Sequence, residues 1–225
     1  LLLLCVPLIG LGQGWHKQYK TGFGTFGNSV VQSVDGGYVI TGGNADTTSN
    51  NFLPNVLVMK TDAFGNVLWQ KFPALGGGSC IRKTIDGGYI ITGSLHPRLL
   101  LLKIDSLGDF IWSKQFGGVN TTPEIPYEVN QTNDKGYIII GRGDDFSIDS
   151  TMDAIVIKTD SMGNQMWIQS FGIGYQDDGY SIKQTVDGGY IMTGYYDLTS
   201  NLQFKSDAYL IKMDAQGSLM WEKTF

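Results

Sequence analysis

The sequence predicts an all-β protein of four-stranded antiparallel blades set around a common axis, a β-propeller, and three observations predict it. Asp35-Gly36-Gly37-Tyr38-Val39-Ile40-Thr41-Gly42 returns, with small changes, at residues 86–93, 134–141 and 187–194. A second phrase, running from Lys60 through Asp62 and Gly65 to Trp69, returns at residues 103–112, 158–167 and 212–221. The repeated tyrosines Tyr38, Tyr89, Tyr137 and Tyr190 stand about 50 residues apart, a length suited to one propeller blade.

Each unit reads as four strands, because apolar, β-branched and aromatic runs flank two turn signals; in the first unit they cover residues 29–34, 38–42, 56–61 and 67–72. Helices are excluded, since these runs are four to six residues long and glycine interrupts them. The first turn of each unit opens with Asp35, Asp86, Asp134 or Asp187. In a three-residue hairpin loop the last position is left-handed, which assigns Gly37, Gly88, Gly136 and Gly189 to it and explains why Lys135 is tolerated one place earlier. In the second turn Asp62, Asp105, Asp160 and Asp214 are placed to accept backbone N–H groups, and Gly65, Gly108, Gly163 and Gly217 take the left-handed position. Runs such as Val56-Leu57-Val58-Met59 and Leu99-Leu100-Leu101-Leu102 do not alternate, so both of their faces should be covered. Trp69, Trp112, Trp167 and Trp221 are expected between neighbouring sheets.

Residues 1–14 read as the remnant of a secretory signal: residues 1–11 are almost wholly apolar, and Gly12-Gln13-Gly14 follows as a small-residue cleavage zone. The run is too short to span a bilayer, and the expected location is secreted or cell-surface. Cys5 is a poor lipid-anchor site, because Leu4 precedes it where a lipoprotein signal carries a small residue. Residues 15–225 hold the repeats, at 15–19, 29–72, 79–116, 128–171 and 181–225. The first of these is an orphan: Trp15-His16-Lys17-Gln18-Tyr19 matches the fourth strand of the other units, as in Trp69-Gln70-Lys71-Phe72. Propellers often close by letting one terminus lend a strand to a blade made by the other. The expectation is therefore an incomplete ring, with further repeats and appended domains in a longer chain.

The stretch from Asp153 through Lys158-Thr159-Asp160-Ser161-Met162-Gly163-Asn164, Phe171-Gly172 and Asp178-Gly179-Tyr180 to Asp187-Gly188-Gly189-Tyr190 resembles the bacterial seven-bladed β-propeller repeat family. It is also similar to repeats of large secreted surface proteins of Bacteroidetes-type bacteria. The Asp-x-x-Gly-x-x-x-Trp phrase is similar to quinoprotein propeller repeats as well. Quinoprotein dehydrogenases, however, resemble one another in a vicinal cysteine pair and cofactor-binding residues that are absent here.

Little else in the sequence carries chemistry. Once the signal is removed Cys80 is the lone cysteine, read as a small buried hydrophobe at the position of Val30, Val129 and Ile182. His16 and His96 belong to no metal or triad spacing, and each glycine pair joins two strands rather than cradling a phosphate. No cofactor is expected. For calcium the candidates are Asp144, Asp145 and Asp149, a loop with oxygen ligands at short spacing but without the glycine and terminal Glu of an EF-hand. With 16 basic against 21 acidic residues the net charge is −5, the wrong sign for nucleic acid or an anionic membrane surface.

In a four-stranded meander the two tight hairpins share one face, and the variable connections share the other. That second face carries residues 43–55, 94–98, 142–152 and 195–206 and the linkers 73–78, 117–127 and 172–179. Its ligand candidates are Asn50, Phe52, Asp144, Asp145, Phe146, Tyr175, Asp177, Tyr195, Tyr196, Asp197 and Asn201, because loops on a rigid scaffold carry binding residues and this set mixes aromatics with carboxylates and amides. The leading functional class is a secreted, non-catalytic interaction or scaffold module whose partner is a protein or a glycan. The alternatives are a carbohydrate-binding or carbohydrate-cleaving propeller, and a quinoprotein-like oxidoreductase.

Overall fold

In the computed structural model, residues 16–19, 24–45, 54–117, 124–144, 152–172, 176–197 and 206–225 are described. Among the described residues sixteen strands form four antiparallel meanders, each in sequential strand order. The first contains β1 (Gly24–Gln32), β2 (Tyr38–Ala45), β3 (Asn55–Thr61) and β4 (Val67–Lys71). The second contains β5 (Gly77–Lys83), β6 (Tyr89–Leu95), β7 (Arg98–Ile104) and β8 (Phe110–Phe116). The third contains β9 (Ile125–Gln131), β10 (Tyr137–Gly143), β11 (Asp153–Thr159) and β12 (Gln165–Phe171). The fourth contains β13 (Gln176–Gln184), β14 (Tyr190–Asp197), β15 (Ser206–Met213) and β16 (Leu219–Thr224). The fold is that of propeller blades, as the repeats predict, and the ring is not closed among the described residues.

Three apolar cores lie between successive sheets. Val39, Val58, Ile91 and Leu102 fill the first, Leu101, Val129, Ile139 and Ile157 the second, and Ile140, Val156, Met192 and Ile211 the third. The middle sheets thus bury both faces: β11 is buried along its whole length, and β7 everywhere except at Arg98. Burial of this kind contributes about 25 cal/mol per Å² of apolar surface and holds the stack together.

The tryptophans lock neighbouring blades. Where a Cβ on Gly108 would sit, the Trp69 ring approaches to 2.5 Å; Trp112 does the same at Gly163 and Trp167 at Gly217. Beside these rings Lys71 reaches Asp109, and Lys114 donates to Asn164 at 3.0 Å. Trp221 departs from the expectation. It is 41% exposed, since no described sheet covers the outer face of the fourth meander. At the other end residues 16–19 have no strand partner among the described residues, yet Tyr19 donates to the Gly65 carbonyl at 3.0 Å and Lys17 bonds Asn66. Those are the contacts of a fourth strand lying against the first blade. Trp15 lies outside the described residues.

The first strands run longer than expected at their N-terminal ends and shorter at their C-terminal ends; Ser33 and Val34 lie in the turn. The cause is a β-bulge at one repeat position in β1, β5, β9 and β13, which leaves Asn28, Ser79, Tyr127 and Tyr180 without a register partner. The register also corrects the alignment of Cys80. It lies opposite Thr92 in the row of Ser29, Glu128 and Ser181, while Ile81 matches Val30, Val129 and Ile182. The thiol is buried as expected, one place from where the alignment put it.

The inner hairpins, which join the first and second strands of each blade as the outer ones join the third and fourth, correct a second expectation. Positive φ falls on Gly36, Gly87, Lys135 (φ 65) and Gly188, not on Gly37, Gly88, Gly136 and Gly189. The second glycine is required for closeness instead. A Cβ at Gly37 or Gly136 would lie 2.1 Å from the carbonyl oxygen of Thr61 or Thr159 on the third strand. The outer hairpins follow expectation, with Gly65, Gly108, Gly163 and Gly217 at φ between 75 and 84.

Each inner hairpin is braced by a lysine from the third strand. Lys60 pairs with Asp35 at 2.6 Å, Lys103 with Asp86 at 3.1 Å, Lys158 with Asp134 at 2.8 Å and Lys212 with Asp187 at 2.9 Å. These lysines are largely buried, and each of the last three also donates to the carbonyl of the next residue. The invariant Lys that opens the second phrase of every repeat is thereby explained.

Candidate functional site

The linkers and the connections between second and third strands meet on one face. Gly76 donates to the Pro54 carbonyl at 2.7 Å, Glu124 to Pro97 at 2.8 Å and Asp177 to Met152 at 2.6 Å, so each linker is pinned to the loop of the blade before it. Five ligand candidates are described on this face. Asn50, Phe52, Asp145, Phe146, Asp149, Tyr175 and Asn201 lie outside the described residues.

The bulges build the site. A bulged residue is aimed out of the pleat, and in the third and fourth blades it is a tyrosine. Tyr127 and Tyr180 pack edge to face at 4.9 Å, and Tyr195, from the end of β14, lies 5.8 Å from Tyr180. Beneath them is the carboxylate of Asp178, 3% exposed. It accepts from Tyr127 at 3.4 Å and Tyr180 at 3.2 Å and pairs with Arg142 at 3.4 Å. Burial, helped by the Asp178 charge, pushes the Tyr127 phenol up to about 12 and raises Tyr180 and Tyr195 in the same way. All three therefore remain neutral hydroxyls at physiological pH. Tyr180 is 47% exposed, and the buried Arg142 Nε has no hydrogen-bond partner among the described residues. The result is a half-open aromatic platform over a neutralised ion pair, able to stack on a flat apolar surface and to exchange hydrogen bonds at its edge.

Two of the other described candidates are interior. Tyr196 alternates to the opposite side of β14, stacks on Tyr209 at 4.4 Å and belongs to the core between the third and fourth sheets. Asp177 is fully buried and accepts the Asp197 N–H at 3.2 Å. Its carboxylate and that of Asp153 both lie against Gly172, within 3 Å of where a Cβ would stand. Both acids are covered, at 0% and 7% exposure. Asp197 and Asp144 are half-buried at strand ends. Among the described residues no group of three or more His, Cys, Asp or Glu could hold a metal ion.

Toward the axis, Glu128 ties three blades together. Its carboxylate accepts from Arg82 of β5 at 2.9 Å, and from Ser181 and the Ile182 N–H at 2.9 Å and Lys183 at 2.5 Å, all of β13. Burial would raise its pKa, but these four donors outweigh it and lower the group to about 2. Sequence reasoning missed Glu128, Tyr127, Tyr180, Asp178 and Arg142. The available signal was positional, because Tyr127 and Tyr180 occupy the same place in two repeats.

No family profile and no curated protein sequence matches the chain. Solved structures do. The Dos1 propeller superposes with a TM-score of 0.55 at 13% identity, over 89% of this chain and 47% of that one. A protein of unknown function from Bacteroides caccae aligns at a TM-score of 0.42 and 12% identity, over 94% of this chain and 85% of that one. The likeness to the Dos1 propeller shows the fold alone: these blades are of propeller type.

Proposed function

We propose that this chain is a secreted, non-catalytic β-propeller module that binds its partner on the variable-loop face, with Tyr127, Tyr180 and Tyr195 at the centre of the contact. The observation that carries the reading is the bulge-built tyrosine platform over Asp178 and Arg142, the described place on this face where aromatic surface and hydrogen-bonding groups are both open. A sugar is the ligand this chemistry favours, since a tyrosine ring stacks on the apolar face of a pyranose while phenols and a guanidinium serve its hydroxyls. The covered pair Asp153 and Asp177 does not offer the two open carboxylates about 5–10 Å apart that hydrolysis needs.

A glycan array probed with the 225-residue chain and with Tyr180→Ala tests the reading. Retention of a defined glycan by the parent, lost in Tyr180→Ala at an unchanged melting temperature, supports it. Equal retention by both chains, or by neither, overturns the tyrosine platform as a sugar site.

A further inference from the structure

On the opposite face, a groove lies among the tight hairpins of the second and third blades, and the other repeats serve as its internal controls. The groove between the second and third blades has a volume of about 430 Å³, within the range of small-ligand clefts. Its walls are Ile85, Ile111, Trp112 and Tyr137, with Gln131 and Lys135 at the rim. Trp112 and Tyr137 meet edge to face at 5.9 Å. Ile85, at the hairpin tip, is 80% exposed and Ile111 48%, although nothing in the hairpin needs an apolar side chain at the tip.

One position sets this groove apart. In the repeat, Ile85 corresponds to Val34, Asn133 and Val186, so an exposed aliphatic tip is shared by three blades and only the third blade's tip is polar. Lys135 corresponds to Gly36, Gly87 and Gly188, so no other blade brings a cation there. Lys135 stands at φ 65, where a side chain costs roughly 1 kcal/mol and three sister repeats carry glycine. Its ammonium makes no hydrogen bond or ion pair with any described residue. The acid in the same groove is already answered: Asp86 is paired with Lys103 at 3.1 Å, and although burial raises its pKa, bonds from Thr84, Gly88 and Lys103 hold it below the usual carboxylate range. The groove is therefore apolar with one uncompensated positive charge at its mouth.

We infer that this groove docks an extended protein segment in which an aliphatic or aromatic side chain is followed by a carboxylate, the side chain entering between Ile85, Ile111 and Trp112 and the carboxylate meeting Lys135. Charge complementarity picks the occupant: a neutral apolar segment would leave the Lys135 ammonium unanswered, and a basic one would be repelled by it. This site is on the other face from the tyrosine platform and stands independently of it.

Fluorescence anisotropy with the whole chain decides the matter. The probes are three labelled glycine–serine peptides whose cores are leucine–glutamate, leucine–lysine and serine–glutamate. The leucine–glutamate peptide should bind, and the other two should not. Lys135→Gly should weaken it about tenfold, and more at low than at high salt, while the melting temperature stays level or rises. Ile85→Asn, which copies the third blade's tip, should weaken it with little change in salt dependence. Failure of the parent to bind, equal binding of all three peptides, or an unchanged affinity in Lys135→Gly would overturn the assignment. Displacement by hexanoate at the peptide's own affinity would also overturn it, since a small apolar acid would then suffice.

Discussion

The inner and outer hairpins of each blade share one backbone frame and use glycine differently. In the inner hairpin Thr132 donates to Gly136 at 2.9 Å and Lys135 donates back to Thr132 at 2.9 Å; in the outer one Asp160 donates to Asn164 and Gly163 back to Asp160, at 2.9 and 3.1 Å. In both, one residue is left-handed. In the inner hairpin that position opens to solvent: a Cβ at Gly36, Gly87 or Gly188 would find nothing within 4 Å, and Lys135 is accommodated. In the outer hairpins of the second, third and fourth blades a tryptophan of the preceding blade presses on it. The strict glycine of the inner turn has ordinary φ and is fixed by a carbonyl across the sheet. The same letter thus recurs for torsional, inter-blade and intra-sheet reasons, which only the structure separates.

The largest effect should come from Gly136→Ala. A Cβ 2.1 Å from the Thr159 oxygen forces the third strand to move, a cost of about 3 kcal/mol, lowering the melting temperature by roughly 6–12 °C. If torsion alone mattered, this substitution would be nearly silent, since Gly136 is not left-handed. Thermal melting of the variant distinguishes the two causes.

Next is Asp134→Asn, which leaves the Lys158 ammonium, 3% exposed, without its counter-charge and should cost about 2 kcal/mol at neutral pH. It should also change the acid limb. Burial raises the Asp134 pKa, but Lys158, Thr132 and Gly136 outweigh it and depress the folded value. A depressed carboxylate stabilises the fold above its unfolded pKa and loses that contribution as pH falls. Denaturant titrations between neutral pH and pH 3 should accordingly show a shallower decline in the variant than in the parent.

Asp105→Ala tests the outer turn. Its Oδ1 accepts the Leu107 and Asp109 N–H groups, both at 2.8 Å and both accessible to water once released, so the loss should be about 1 kcal/mol. Chemical denaturation measures it. A loss as large as that of Asp134→Asn would mean that the outer turn is no more forgiving than the inner.

The blades were legible because each local signal is written four times and agrees with the others. Trp69, Trp112 and Trp167 were placed between sheets by repetition alone, and Asp62, Asp105, Asp160 and Asp214 cap their turns as read. The site was less legible. A bulge leaves no mark in sequence, so nothing announced that Tyr127 and Tyr180 would be re-aimed, whereas the row of Cys80 could be counted back from Tyr89. Alternation on β14 then separates Tyr195, on the platform, from Tyr196, in the core, although the two are neighbours in the chain. Asp178 and Glu128 gain their roles from residues some 50 positions away, which only stacking of blades brings together.

The smallest predicted effect bears on the residue where the repeats disagree. Lys135→Gly removes a left-handed side chain, which relieves roughly 1 kcal/mol. Glycine also has more freedom to lose on folding, which takes back roughly half of that. No contact of the ammonium is lost, and the inner hairpin bonds of Thr132 and Lys135 are backbone bonds that glycine keeps. The net expectation is a gain of about 0.5 kcal/mol, or roughly 1–2 °C in melting temperature. Gly87→Lys in the second blade should cost a similar amount, since its φ is 83 and its Cβ would also face open space. Opposite signs in these two melts would locate the strain in the backbone. A loss of stability in Lys135→Gly would show instead that the lysine side chain supports the fold, and the open left-handed position of the inner hairpin would no longer be the difference between the two turns.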